Sequence, residues 1–291
     1  MNELVSIIIP TYNRFSETCR AVESCLTQPY KEIEILICDD KSTDGSFEQL
    51  VNKYKENLRI MIFQNNGPKG ANSARQCGVN RAKGDTIIFL DSDDCLTSNS
   101  IYDRIHVLKE NETCVLAYGD SISENGIHKY DDISNFERNK YLMRELSLCE
   151  YGTIMIRRSS FVDDGLRIDT SLKAWQDDDM ILSVNNLYPT RKNAILHCGH
   201  VVLEHNRSEE SITSNHRNLY DGLSRILSKY HDNILSECGY RRLFLWKIRL
   251  AYRRLWIIYT DTNKPAVRIT IGLIRRALYL VCRINFRHLW G

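Results

Sequence analysis

The sequence lacks the cysteine pattern of a zinc site or a disulfide framework. Its ten cysteines are scattered over 291 residues, and no two of them form a C-x-x-C pair. A zinc knuckle or a small disulfide-rich fold requires paired, regularly spaced cysteines. We therefore expect free thiols, most of them packed in the interior of a reduced cytoplasmic protein.

Long hydrophobic runs are also missing. No segment approaches the roughly 20 apolar residues that span a bilayer as a helix. The first apolar stretch has no basic residues before it and stops at Pro10, which predicts no signal peptide. The sequence contains no internal repeat, no low-complexity linker and no nucleic-acid-binding motif, so we expect no nucleic-acid partner.

Charge is unevenly distributed although the net charge is only +2. Residues 240–291 contain 12 Lys/Arg, one acidic residue and nine aromatic residues, whereas residues 1–239 contain 27 Lys/Arg and 36 Asp/Glu. Basic, aromatic, amphipathic helices suit the surface of an anionic membrane. We expect a basic helical extension that lies on such a surface, with packing on the acidic body as the alternative.

Apolar runs alternate with helical patterns over the first hundred residues. The runs are short and rich in Ile and Leu, as in strands buried on both faces: residues 4–9, 33–38, 59–63 and 86–90. Each of the first three is followed by a segment with helical spacing of its apolar residues. This order predicts an α/β fold with a mostly parallel central sheet and flanking helices.

Acidic and aromatic residues follow the predicted strands at their carboxyl ends. Tyr12 follows the first strand, Asp40 follows the second, and Asp91, Asp93 and Asp94 follow the fourth. Ligands of parallel α/β sheets bind at this edge, and hard divalent cations prefer carboxylate oxygens. The cluster predicts a cation site, although acidic surface loops show the same pattern.

Two further features carry candidate site residues. Arg75 lies in the third predicted helix, where its guanidinium could contact a phosphate or remain a surface charge. Asp177, Asp178 and Asp179 open a later predicted helix. Acids at this position favour the helix dipole, and one that points inward could act as a general base.

These residues alone leave three classes of function open. The first is an enzyme that binds a nucleotide through a cation, Tyr12 and Asp40. The second is a phosphatase or phosphotransferase that uses a strand-end Asp as its nucleophile. The third is a calcium-dependent carbohydrate-binding module.

Four segments resemble, in order and spacing, the successive motifs of family 2 glycosyltransferases. They are "VSIIIPTYNR", "ILICDDKSTDGS", "NNGPKGANSARQCGVNRAKGD" and "IIFLDSDD". The similarity is close over residues 4–96 and looser as far as "WQDDDM" and "LEHNRSEESIT". It implies an inverting enzyme with the A-type nucleotide-sugar fold. Gln176 stands where the family pattern has Glu, so the register of the catalytic Asp stays open between Asp177 and Asp178.

The resemblance implies roles for individual residues of this sequence. The nucleotide would contact Pro10, Tyr12, Asp40, Arg75, Asp91 and Ser92. The cofactor, Mn²⁺ or Mg²⁺, would bind Asp93 and Asp91, with Asp94 and His205 as further candidate ligands. Asp177, or alternatively Asp178, would be the catalytic base.

The resemblance also implies a substrate class and a location. We expect transfer of a sugar from a nucleotide sugar to a hydroxyl of a glycan carried on a polyprenyl diphosphate. The resemblance implies that the donor is a UDP-hexose. Such a reaction belongs to bacterial surface polysaccharide synthesis, as of O-antigen or capsule, at the inner face of the cell membrane. Residues 1–100 would form the nucleotide-sugar-binding half, residues 101–239 the acceptor and catalytic half, and residues 240–291 the basic extension.

Overall fold

The structure is a computed structural model that describes residues 3–130, 149–206, 215–261, 270–271 and 273–274. The described residues fall into two compact units. The larger unit consists of residues 3–130, 149–171 and 177–206. The smaller unit consists of residues 172–176 and the described residues from 215 onward.

The first four strands form the parallel part of the sheet in the larger unit. They are β1 (Val5–Thr11), β2 (Ile33–Asp39), β3 (Ile60–Gln64) and β4 (Thr86–Phe89). Strand β1 pairs in parallel with both β2 and β4, and β2 pairs in parallel with β3. The predicted β-α alternation is therefore confirmed here, and the carboxyl ends of these strands share one edge.

Three helices connect these strands: α1 (Phe15–Leu26), α2 (Ser46–Tyr54) and α3 (Ala71–Val79). Side chains of β1 alternate, so that Ile7 and Ile9 join the main core with Val22 of α1. Ile8 faces α3, because a Cβ on Gly78 would lie 2.4 Å from the Ile8 Cγ2 atom. A glycine thus lets α3 lie close against the sheet, at the position from which it presents Arg75.

The second half of the larger unit extends this sheet with mixed pairing. Its elements are β5 (Cys95–Leu96), α4 (Ser100–Glu110), β6 (Leu116–Ser123), β7 (Gly126–His128), a 3-10 turn (Tyr151–Thr153), β8 (Ile154–Arg157), α5 (Ser159–Val162), α6 (Gln176–Leu187) and β9 (Ile195–Glu204).

The strand order is β3-β2-β1-β4-β8-β6-β9-β5, with β7 paired to β6. Strand β8 is antiparallel to both β4 and β6, whereas β9 is parallel to β6. The sheet is therefore parallel over its first four strands and mixed beyond them.

The smaller unit contains α7 (His216–Lys229) and α8 (His231–Asp261). The Asn215 side chain caps α7 by accepting hydrogen bonds from the N–H groups of Arg217 and Asn218. The Trp175 indole N–H donates to the Leu219 carbonyl at 2.9 Å. The segment of residues 172–176 is thus tied to α7 within this unit.

A helix over residues 240–261 agrees with the expected helical extension. The boundary expected at residue 240 lies inside α8, and the division into two halves and an extension stays a prediction. Residues 275–291, which include Trp290, lie outside the described residues. Among the described residues, no helix combines the length and the apolar character needed to cross a membrane.

Candidate active site

Arg75 lies at the centre of the strand-end cluster. It is buried, with only 4% of its side chain exposed, and its Nη2 donates to Asp91 Oδ1. Burial disfavours the charge on this guanidinium, but Asp91, Tyr151 and Asp177 together outweigh burial, so the pKa of Arg75 is raised. Arg75 is therefore a permanent buried cation beside a carboxylate, not a surface charge.

Two other residues hold the Arg75 guanidinium in place. Asn72 Oδ1 accepts a hydrogen bond from Arg75 Nη1 at 3.0 Å, and Arg75 Cζ lies 4.1 Å from the centre of the Tyr151 ring. That ring in turn packs edge-on against Phe89 at the end of β4, with centroids 5.1 Å apart. Stacking and a planar hydrogen bond leave the guanidinium little freedom.

Asp177 joins the same group from the start of α6. Its Oδ1 accepts the Tyr151 backbone N–H at 3.0 Å. Burial raises the pKa of Asp177 to about 7, with Arg75 opposing the shift and Asp91 and Glu150 adding to it. A carboxylate with a pKa near neutrality is suited to take up a proton during catalysis.

Asp178 faces a different environment. It is buried, and its charge is felt at Cys149, where burial together with Asp177 and Asp178 raises the pKa of the thiol. Arg75 and Asp91, by contrast, are among the groups with the largest effects on the pKa of Asp177. Asp177 is thus linked to the Arg75–Asp91 pair, and the choice between the two candidate bases stays a prediction.

Asp93 pairs with a residue that the sequence interpretation missed. Arg14, just before α1, donates from Nη1 to Asp93 Oδ2 at 2.7 Å. Asp91 and Asp93 are thus each paired with an arginine, through Asp91 Oδ1 and Asp93 Oδ2.

The carboxylates of this turn suit a divalent cation that completes its coordination elsewhere. Within the described parts of the chain, no three His, Cys, Asp or Glu side chains are arranged to hold a metal ion. Mg²⁺ commonly binds through one or two protein carboxylates plus substrate phosphates and water. Asp91 and Asp93 fit that donor set, with a diphosphate supplying the remaining ligands.

Asp94 and His205 form a third charged pair at this edge. The His205 Nδ1 lies 3.2 Å from Asp94 Oδ1, and the same oxygen accepts the Asn206 N–H at 3.0 Å. Hydrogen bonding to Asp94 raises the pKa of His205 to about 9, while burial raises the pKa of Asp94 to about 6. Glu150 Oε2 lies 3.9 Å from His205 Nδ1, so this imidazolium has two acidic neighbours.

The ends of β1 and β2 form the opposite end of the candidate site. Tyr12 is 38% exposed just beyond β1, and the Lys69 ammonium lies 3.6 Å from the centre of its ring. Asp40, just beyond β2, accepts from Asn65 Nδ2 at 2.8 Å and from the Gly70 N–H at 2.7 Å. An aromatic face and an oriented carboxylate thus lie on neighbouring loops.

The two remaining site residues predicted from the sequence are Pro10, near the end of β1, and Ser92, in the acidic turn. Pro10 is paired in register with Cys38 near the end of β1. Ser92 is buried between Asp91 and Asp93, in a turn closed by the Asp94 N–H donating to the Asp91 carbonyl at 3.1 Å. Both residues therefore shape the loops that carry Tyr12 and the acids.

Sequence reasoning missed several residues of this site: Arg14, Asn65, Lys69, Glu150 and Tyr151. Arg14 and Lys69 lie inside the quoted motif segments, so their charges could have identified them as site residues. Tyr151 lies in a 3-10 turn that continues into β8. Its local sequence carries no sign that its ring lies on Arg75, 76 positions earlier, because only the folded sheet brings them together.

The chain matches the family described as "Glycosyl transferase family 2" over residues 6–165. Among curated relatives, the Escherichia coli protein named UDP-Glc:alpha-D-GlcNAc-diphosphoundecaprenol beta-1,3-glucosyltransferase WfaP is 47% identical over 116 residues. This match covers 40% of the present chain and 45% of WfaP, so it spans about half the length of that relative.

Two further relatives match over longer segments. Escherichia coli WfgD, whose name states the same activity as that of WfaP, is 30% identical over 215 residues, which cover 73% of this chain and 80% of WfgD. The Campylobacter jejuni GalNAc(5)-diNAcBac-PP-undecaprenol beta-1,3-glucosyltransferase is 30% identical over 155 residues, covering 49% of this chain and 48% of the relative.

Solved structures share the fold at low sequence identity. Residues 1–349 of S. aureus TarS in complex with UDP-GlcNAc align with a TM-score of 0.62 at 20% identity, covering 91% of this chain and 77% of that 1–349 segment. The mannosyltransferase PcManGT from Pyrobaculum calidifontis in complex with GDP-Man and Mn²⁺ gives 0.60 at 15% identity, covering 98% and 83%. These alignments confirm the expected A-type fold. With the family match and the curated relatives, they establish that the chain belongs to glycosyl transferase family 2.

Proposed function

We propose that this glycosyltransferase moves a hexose, with inversion, from a UDP-sugar to a hydroxyl of a glycan carried on a polyprenyl diphosphate. UDP-glucose is the first donor to test, because the relatives WfaP and WfgD are named for that donor and for a diphosphoundecaprenol-linked acceptor. The reaction would serve bacterial surface polysaccharide synthesis at the inner face of the membrane. Family membership favours this activity over a phosphotransferase or a calcium-dependent binding module.

One observation carries the proposal. Asp177, with its pKa near 7, is hydrogen-bonded to the Tyr151 N–H and interacts with the buried Arg75 and with its partner Asp91. A group that can accept a proton thus lies beside groups suited to an anionic phosphate. An inverting transfer needs these two functions on the two sides of one anomeric carbon.

The proposed step is a single displacement. The acceptor hydroxyl oxygen forms a bond to the anomeric carbon while the bond from that carbon to the diphosphate oxygen breaks. Asp177 takes the hydroxyl proton, and the electron pair leaves with the nucleoside diphosphate. An α-linked UDP-hexose therefore gives a β-linked product.

The remaining residues would bind and orient the donor. Arg75 supplies fixed positive charge at the diphosphate. Tyr12 offers its ring to the nucleobase, and Asp40 accepts an N–H from it. Asp91 and Asp93 would hold Mn²⁺ or Mg²⁺, which when bound would stabilise the negative charge that develops on the departing diphosphate. His205, protonated through Asp94, adds a second cation near the acidic turn.

A panel of nucleotide sugars tests the proposal directly. The purified chain is incubated with each donor and a synthetic GlcNAc-diphosphate-lipid acceptor, with Mn²⁺, with Mg²⁺ and with EDTA, and released nucleoside diphosphate is measured. We expect acceptor-dependent release from UDP-hexoses that EDTA abolishes and either cation restores. Release only from non-UDP donors, or full activity in EDTA, would contradict the donor or the cofactor assignment respectively.

A further inference from the structure

Asn65, directly after β3, is a buried and fully hydrogen-bonded side chain near the candidate nucleoside site. It is only 2% exposed. Its Nδ2 donates to Asp40 Oδ1 and to the Pro68 carbonyl, both at 2.8 Å. Its Oδ1 accepts the Gly67 N–H at 2.9 Å and the Ser73 hydroxyl at 3.3 Å. All four hydrogen-bonding positions of the amide are therefore in use.

The first consequence concerns Asp40. Its two carboxylate oxygens each accept one hydrogen bond, from Asn65 Nδ2 and from the Gly70 N–H at 2.7 Å. An ionised carboxylate can accept about four hydrogen bonds. Asn65 and Gly70 thus fix the plane of the carboxylate and leave it the capacity to accept an N–H from a nucleobase.

The second consequence concerns the loop of residues 66–70. Asn65 binds this loop at Gly67 and Pro68, and Lys41 Nζ donates to the Gly67 carbonyl at 2.9 Å. The loop carries Lys69, whose ammonium lies over the Tyr12 ring. The position of Lys69 against the aromatic face therefore depends on contacts that converge on Asn65.

We propose that Asn65 is the positioning residue of the nucleoside site, orienting the Asp40 carboxylate and holding the loop 66–70 so that a nucleoside diphosphate binds without rearrangement. This inference rests on the proposed function. Preorganisation lowers the ordering cost of binding, and the four hydrogen-bond partners of Asn65 given above include neither Asp177 nor Arg75. Its loss should weaken donor binding and leave the chemical step intact.

Asn65→Asp tests the proposal with the smallest change of shape. It keeps the oxygen that accepts from Gly67 and Ser73, removes both donors, and puts a second carboxylate against Asp40. UDP binding to the full chain is measured by titration calorimetry with Mn²⁺ present, and donor kinetics with the lipid-diphosphate acceptor. We expect the UDP Kd and the donor KM to rise about tenfold or more, the range of one or two lost buried hydrogen bonds, with kcat within about twofold.

Asn52→Asp is the matched control, because it makes the same change at an exposed position of α2, outside the loop 66–70. It should bind UDP like the unsubstituted protein. Gly67→Ala is a second variant that leaves Asn65 itself intact. Its Cβ would lie 2.5 Å from Ser73 Oγ and 3.3 Å from Asn65 Oδ1, so it should displace the loop and raise the same Kd and KM.

The possible outcomes separate the inference from the function it rests on. Unchanged UDP affinity in folded Asn65→Asp, or a fall in kcat with an unchanged donor KM, would overturn the role of Asn65 alone. If Asn65→Asp does not fold, unchanged UDP affinity in Gly67→Ala would overturn it. An unsubstituted protein that transfers sugar from UDP-hexoses while both variants lose only donor affinity would support it. No UDP binding by the unsubstituted protein would overturn the proposed function as well.

Discussion

Among single residues, Asp177 obtains its chemistry from its surroundings. A carboxyl group in water titrates near 4, whereas burial brings the pKa of Asp177 to about 7 even though Arg75 opposes the shift. The Tyr151 N–H holds one oxygen in place. The ring of the same residue, Tyr151, lies on the Arg75 guanidinium. Tyr151 therefore orients both the candidate base and the candidate phosphate-binding cation.

The pH dependence of transfer follows from this assignment. A base must be deprotonated in the free enzyme, and the raised pKa means that the Asp177 carboxylate forms only as the pH rises through about 7. We expect kcat/KM for the acceptor to fall about tenfold per pH unit well below that value. Measuring kcat/KM for the acceptor as a function of pH at saturating donor tests this expectation. A profile that is flat from pH 5 to 8 would contradict the role of Asp177.

The pairing of His205 with Asp94 can be tested without measuring enzymatic activity. Because Asp94 raises the pKa of His205 to about 9 and is itself ionised above about 6, both partners are charged between those values. Asp94→Asn should bring the His205 titration back toward its ordinary value of 6.5. NMR of the imidazole resonances measures this. Asp163→Asn, at an exposed position, should leave the titration unchanged, and no shift in Asp94→Asn would contradict the pairing.

Among secondary-structure elements, helix α4 holds the turn that carries Tyr151. Arg104 of α4 is fully buried and donates from Nη1 to the carbonyls of Gly152 and Ile154, each at 3.0 Å. Its Nε and Nη2 bond to the backbone and side chain of Ser100. These partners are neutral oxygens, and burial lowers the pKa of Arg104 to about 10. A buried cation is costly, and here its guanidinium satisfies four oxygens at once.

Arg104→Met should therefore destabilise the larger unit. The substitution leaves the carbonyls of Gly152 and Ile154 without their buried donor, which we expect to lower the free energy of unfolding by roughly 2–4 kcal/mol. Urea denaturation followed by circular dichroism measures the change. Arg20→Met, at an exposed position in α1, is the control. Equal stability of the two variants would show that Arg104 does not hold the turn.

The sequence predicted the first half of the fold because its signals are local. Buried strands and amphipathic helices alternate there, and each motif lies at the end of its own strand. The second half depends on distant pairing: β9 runs parallel to β6 with register shifts, and β5 contains only two residues. Periodicity carries no information about such partners.

The same limit applies to the candidate site. Asp40, Asp91 and Asp177 were found because acids after buried strands or at a helix start are visible in the sequence. Arg14 and Asp93 are 79 positions apart, and Asn65 and Asp40 are 25 apart. Only the parallel pairing of β1 with β4 and of β2 with β3 aligns the loops that bring these partners together.

At the scale of the whole molecule, the expected membrane contact depends on charge in the smaller unit. Lys247 and Arg254 are exposed basic residues of α8, and each basic residue near an anionic surface contributes about 1 kcal/mol. The proposal that this extension binds anionic lipid can be tested without removing part of a helix.

We expect the double variant Lys247→Gln/Arg254→Gln to bind phosphatidylglycerol vesicles roughly tenfold or more weakly than the unsubstituted chain. Vesicle co-sedimentation at low and high salt measures this. Lys53→Gln/Lys55→Gln removes two exposed charges from the larger unit instead and should leave binding unchanged. Equal binding to neutral phosphatidylcholine vesicles by the unsubstituted chain would contradict the electrostatic account.

The central claim is inverting transfer with Asp177 as the base. The most direct measurement is the NMR analysis of the disaccharide linkage made from UDP-glucose and a GlcNAc-diphosphate-lipid acceptor, with kcat for the unsubstituted chain, Asp177→Asn and Asp178→Asn. We predict a β-linked product, a kcat roughly 10²–10⁴-fold lower in Asp177→Asn, and nearly unchanged turnover in Asp178→Asn. An α-linked product, or an Asp177→Asn variant that retains near-full turnover while Asp178→Asn loses it, would contradict the account.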